Sequence, residues 1–195
     1  MLLLHDKLLS VPVMSLQTGA ELARTDSPII DPRTLAIIAF FVDGPQLDER
    51  PSVLHVSDIR EAGSLGFIVD DAHSLMPLDG LVRLEQVLDF DFTLLGSKVE
   101  DATGRHIGTV VDYAFEPDSF IIQQLYIKQS LFKSLTASSH IIHRSQIVAI
   151  KPDKIVVEAP TIADKAVKTA QRARALVNPF RSAPQPEPIR VAKQP

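Results

Sequence analysis

The sequence predicts a mainly β protein made of two tandem copies of a small β unit, joined by a short helix and followed by an amphipathic helix and a disordered tail. Three observations carry this reading: an internal repeat, strand-length apolar runs punctuated by turn residues, and two stretches with helical period. The 195 residues suffice for one domain or two small ones.

The repeat sets the element order. An offset of 85 places Thr18-Gly19 on Thr103-Gly104, Leu22 on Ile107, Asp31-Pro32 on Glu116-Pro117, Leu35 on Phe120 and Phe40-Phe41 on Leu125-Tyr126. An offset of 88 then aligns Leu54-His55 with Ile142-His143, Ser57 with Ser145, and Phe67 to Asp70 with Ile155 to Glu158. The copies span residues 9–78 and 95–160, with a linking segment over 79–94.

The second copy displays the strand pattern more clearly. Ile107, Val111, Tyr113 and Phe115 share one parity, so an extended chain puts them on a core face opposite His106 and Asp112. Residues 116–119, EPDS, form a turn started by Pro117, and residues 120–127 return as the partner strand. Gly108 marks either a bulge or the close approach of a neighbouring backbone. In the first copy the matching run, residues 35–42, is apolar throughout, so both of its faces are expected to be buried. Two readings stand: a two-layer core, or an interface through Phe40 and Phe41 with the sister copy or a second subunit.

Leu81, Leu84 and Leu88 fall at helical spacing, which predicts a linking helix from about Gly80 to Leu88 with Asp79 at its start. Ile162, Ala166, Ala170, Ala173 and Val177 predict a second, basic amphipathic helix over 161–177 that stops before Pro179. Residues 178–195 are proline-rich and without apolar pattern, as in a disordered tail.

Residues 94–127 resemble the PRC-barrel family. Its pattern, G-x-x-V followed by D-x-x-G-x-x-I-G-x-V-x-D, is met in order by Gly96, Val99, Asp101, Gly104, Ile107, Gly108, Val110 and Asp112. Residues 141–158 look like the family's closing segment, and the first copy follows the plan less faithfully, with Ala23 in place of the second glycine and Thr25-Asp26-Ser27 in place of the valine-aspartate step. The resemblance implies two small, strongly bent PRC-barrel-like β-barrels. In this family the domain appears in the photosynthetic reaction-centre H subunit, in the small-subunit ribosome-maturation factor and in short prokaryotic proteins, all in binding roles. It implies architecture rather than activity.

Composition narrows function further. The absence of cysteine excludes disulfides, thiolate zinc sites, iron–sulfur clusters and a cysteine nucleophile. The opening apolar run ends at His5, too short for a signal-peptide core, which points to a cytoplasmic protein. Residues 161–195 hold seven basic against two acidic side chains, a net +5, which leaves −9 of the total −4 on residues 1–160. A body this acidic repels nucleic acid.

No residue set reads as catalytic, and no cofactor or metal is expected. His140 and His143, three apart in a β context, do not share a face, and His106 is only near in sequence. Asp70, Asp71 and His73, and Glu116 with Asp118, read as solvated turns rather than acid–base pairs. Ser138 and Ser139 beside these histidines lack a nucleophile elbow, and no glycine-rich phosphate loop occurs. Lys165, Lys168, Arg172 and Arg174 are the candidate partner-binding residues: their helix docks on its own body, captures an acidic protein or RNA, or touches a membrane surface, the last disfavoured by a stripe without Trp or Phe. The expected function is a non-enzymatic prokaryotic interaction adaptor, with an RNA- or ribosome-associated factor as the alternative and homo-oligomerisation left open.

Overall fold

The computed structural model describes residues 1–45, 47, 49–128 and 139–158. The basic helix and the tail expected after residue 160 lie outside them. The described chain is mainly β. Its strands are β1 (Leu3–Leu4), β2 (Pro12–Ser15), β3 (Glu21–Asp31), β4 (Ala36–Asp43), β5 (Ser52–His55), β6 (Glu61–Gly63), β7 (Gly66–Val69) and β8 (Leu75–Pro77). A helix, α1 (Val82–Leu88), precedes β9 (Lys98–Asp101), β10 (His106–Glu116), β11 (Ile121–Lys128), β12 (Ser139–His143), β13 (Ile147–Lys151) and β14 (Lys154–Val157).

One set of pairings occurs twice. In the first half β7 runs parallel to β2, which pairs antiparallel with β3, then β4, then β5, while β6 borders β7. In the second half β14 runs parallel to β9, which pairs antiparallel with β10, then β11, then β12, while β13 borders β14. The halves meet where β4 pairs antiparallel with β11 at Ala36 and Ile121. The Ile37 N–H donates to Phe120 O and the Ile122 N–H donates to Leu35 O, both at 2.9 Å. Since 35 and 120, like 37 and 122, are related by the repeat offset, the seam exchanges equivalent residues. All strands belong to one open mixed sheet with β13 and β6 at the ends of its path.

Seam geometry follows from the two turns that end on it. Leu35 and Phe120 both take positive φ, 47° and 56°. Bulky residues resist that conformation, at about 1–2 kcal/mol. Here the side chains are buried in the main core, and removing each from water contributes about 1.5–3 kcal/mol. Phe120 lies 6.0 Å from Phe40 and 5.9 Å from Phe67, both of the first half, and 6.1 Å from Phe115 of its own.

Two sequence expectations shift, the core face of β10 and the start of the linking helix. The core face of β10 is Val110, Tyr113 and Phe115, not Val111, which is 48% exposed. A register shift against β11 between Val110 and Asp112 inserts one residue and reverses the parity. Helix α1 starts at Val82, without a side-chain cap; Asp79 does not cap it, because Gly80 turns with φ of 85° and donates its N–H to Glu85 Oε1. Leu84 and Val87 of α1 pack on Ile29, Ala39 and Val53 of the first half, so the leucine stripe covers that half and leaves the other. Phe40 is fully buried in a core shared by both halves, and Phe41 packs in the cluster under α1. Both faces of β4 are therefore covered within the chain.

Candidate functional site: clefts at the seam

The turn after β3 is tied locally. Asp31 Oδ1 accepts the Arg33 N–H at 2.9 Å and Asp31 O accepts the Thr34 N–H at 3.3 Å, an Asx-type arrangement that leaves the Arg33 side chain exposed. Facing residues come from the second half. After β12 the chain makes a 3-10 turn, Arg144–Gln146, where Gln146 Oε1 accepts the His143 N–H at 2.9 Å and Gln146 O accepts the Glu158 N–H at 2.7 Å. β13 then follows with a register shift between Ile147 and Ala149, and the inserted Val148 is 64% exposed. With Phe90 from the segment after α1, these residues enclose a cleft of about 470 Å³.

Arg144 is half-buried in that cleft, and its Nη1 is closed off from solvent without a hydrogen-bond acceptor among the described residues. A second cleft, of about 590 Å³, runs along α1 and shares Arg33 with the first. Arg83, Asp31 and His55 also line it, with Leu81, Leu84 and Val87 as apolar wall. His55 is engaged locally: its Nδ1 accepts the Ser57 N–H at 3.3 Å and lies 2.8 Å from Ser57 Oγ. Such a lining suits recognition of a carboxylate by guanidinium groups beside an apolar body.

The residues singled out from sequence fall elsewhere. Lys165, Lys168, Arg172 and Arg174 lie outside the described residues. His140 and His143 sit on β12 opposite Ile127 and Gln124, at an odd spacing that puts them on opposite faces, and His106 sits on β10 opposite Glu100. Among the described residues no cluster of three or more histidine and carboxylate side chains has metal-ligand geometry. Asp70 accepts two hydrogen bonds from Arg60, at 2.9 and 2.6 Å, which lower its pKa and raise that of the guanidinium. Asp71 accepts the His73 N–H at 2.9 Å, and Glu116 accepts from Ser119 Oγ at 2.7 Å, so both carboxylates serve turns. Asp112 accepts from or pairs with His5 Nδ1 at 2.6 Å. No helix of the described residues is long and apolar enough to cross a membrane.

Arg33, Arg83 and Arg144 escaped sequence reasoning, because whether an arginine has a carboxylate beside it is a tertiary property. One signal was available. The repeat offset sets Arg33 against Asp118 in otherwise similar turns, DPRT and EPDS, a reversal of charge at one corner. Neither a family model nor a curated protein matches this chain.

Proposed function

We propose that this chain is a duplicated PRC-barrel-like protein, with copies over 9–78 and 95–160, that works as a non-enzymatic adaptor and holds another protein at the seam between them. The carrying observation is that the seam cleft takes its lining from both halves, the turn at Arg33 from one and Arg144 with Ile147 to Ile150 from the other. Such a site exists only in the joined molecule, which gives the duplication a use. The recurring set of pairings and the family-like motif over 96–112 support the barrel reading. The adaptor is cytoplasmic and prokaryotic on this view, and its basic segment, with Lys165, Lys168, Arg172 and Arg174, adds a long-range attraction to the partner.

Site-directed photo-cross-linking in the native cell tests this. A cross-linker replacing Val148, exposed in the cleft, is expected to trap a discrete protein adduct, and one replacing Leu65, 71% exposed outside both clefts, is not. Equal adducts at both positions, or an adduct at 148 removed by ribonuclease, would overturn the proposal, the second outcome in favour of an RNA-associated factor. Repeating the capture without residues 161–195 isolates the basic segment's part, which an unchanged yield would eliminate.

A further inference from the structure

Seven arginines are among the described residues, and four have a carboxylate beside them: Arg24 with Glu21 at 2.7 Å, Arg50 with Asp43 at 3.1 Å, Arg60 with Asp70 at 2.6 Å and Arg105 with Asp101 at 3.0 Å. The other three, Arg33, Arg83 and Arg144, have no ion pair among the described residues. All three line the two clefts, the first at the seam and the second along α1 within the first half, and Arg33 lines both. In a body of net charge −9 carboxylates are plentiful, so this grouping of uncompensated guanidiniums is selective. Arg144 is the costliest, since one of its nitrogens is denied both water and an acceptor. The first lining holds no acidic residue and the second holds Asp31, one of whose oxygens is already taken by the Arg33 N–H.

We propose that the two clefts together take an extended acidic segment of a partner protein, its carboxylates on Arg144, Arg33 and Arg83 and its apolar side chains on Phe90, Ile147 and the exposed edge of α1. This rests on the reading of the seam as a protein-binding site and names the chemistry recognised there. Charge complementarity selects the occupant. The chain's own segment after residue 160 is the wrong sign, at +5. A nucleic acid carries uniform negative charge that the acidic body repels, and its backbone offers nothing to the apolar walls. A carboxylate accepts two parallel N–H bonds from a guanidinium, and each such bond gains strength where water is partly excluded.

The test uses the full chain and a fluorescein-labelled, amidated peptide alternating leucine with glutamate and aspartate, read by anisotropy. Its controls are the same peptide with glutamine and asparagine, and an oligouridylate. The acidic peptide is expected to bind, the amide peptide at least about tenfold more weakly, because the charge-assisted bonds are lost. Arg144→Gln and Arg33→Gln are each expected to weaken binding about tenfold, and Arg24→Gln, in an ion pair outside both clefts, less than about twofold. Because Arg33 and Arg83 are exposed, Arg33→Gln and Arg83→Gln keep the test decisive if Arg144→Gln fails to fold. The proposal is overturned by no binding up to about 1 mM peptide, by equal binding of the two peptides, by an equal loss in Arg24→Gln, or by an oligouridylate that binds more tightly. Equal binding of the peptides with the cross-link at 148 intact would remove acidic recognition and leave the seam reading standing; acidic binding without that cross-link would do the reverse.

Discussion

Asp101 organises the corner before β10 with one side chain. Its carboxylate is buried and accepts from Thr103 Oγ1, the Thr103 and Arg105 N–H groups, and Arg105 Nε. The Thr103 hydroxyl foremost, then the Arg105 N–H, hold its pKa at about 2 against an ordinary 3.8. Because the folded value is depressed, the stabilisation is complete above the ordinary value and is lost as pH falls through about 2. Resistance of the native protein to urea is therefore expected to weaken as pH falls from about 4 to about 2, and Asp101→Asn, less stable at pH 7, is expected to show a flatter profile over that window. In the first half Ser15 occupies the matching corner, with its N–H donated to Ala20 O and its O accepting the Gly19 N–H, as Asp101 does with Arg105 and Gly104. The alignment placed Thr18-Gly19 on Thr103-Gly104 but Leu16 on Asp101, so the turn was legible from residues alone and the one-residue-longer loop that brings Ser15 to this corner was not.

Glycine placement at the strand crossing was not. A Cβ at Gly108 would lie 2.5 Å from Lys128 O and 2.6 Å from Ile127 Cγ2, and the register against β9 shifts between His106 and Gly108, so both readings of this glycine hold. In the first half Ala23 stands at that position, and the close approach is kept by a glycine on the other side: a Cβ at Gly44 would meet Leu22 O at 2.6 Å and Ala23 Cα at 2.8 Å. Gly108→Ala and Gly44→Ala are each expected to cost about 1–3 kcal/mol in chemical denaturation, the usual penalty of overpacking.

At the scale of elements, α1 and β10 illustrate what period analysis can and cannot reach. The leucine period located α1 to within two residues, but which surface it covers depends on Ile29, Ala39 and Val53, remote in sequence. Leu84 is 4% exposed in that cluster, and Leu84→Ala is expected to destabilise by about 2–5 kcal/mol, read from the urea midpoint. In β10 strict alternation predicted Val111 inward, and the bulge that overrules it forms against β11, a pairing that a reading of one strand does not contain. Tyr113 stayed inward. Its hydroxyl is buried without a partner among the described residues, and burial first, then the nearby Asp112 charge, raise its pKa well above the ordinary phenol value.

At the scale of the whole molecule the halves depend on each other. β1 precedes the first half yet pairs with β10 of the second, at Leu3 with Phe115 and Leu4 with Ala114. Phe40, Phe67 and Phe120 form one ring cluster across the seam, with Phe40 5.2 Å from Phe67. Each half alone would expose these rings and lose the pairing of Ala36 with Ile121, so residues 1–94 and 95–195 expressed separately are expected to aggregate or remain unfolded. Co-expression is expected to recover a one-to-one complex, measured by co-purification and sedimentation. Two soluble, folded pieces that ignore one another would contradict this dependence.

The order of residues by itself determined the strand content, the turn at 116–119 and the position of the linking helix, because hydrophobic period and turn chemistry act between neighbours in the chain. Only the tertiary structure decided where β4 buries its second face, which strand of each crossing carries the glycine, and which arginines are left without a carboxylate. Those outcomes depend on groups brought together from distant positions, where packing distance and charge pairing, rather than local preference, set the free energy.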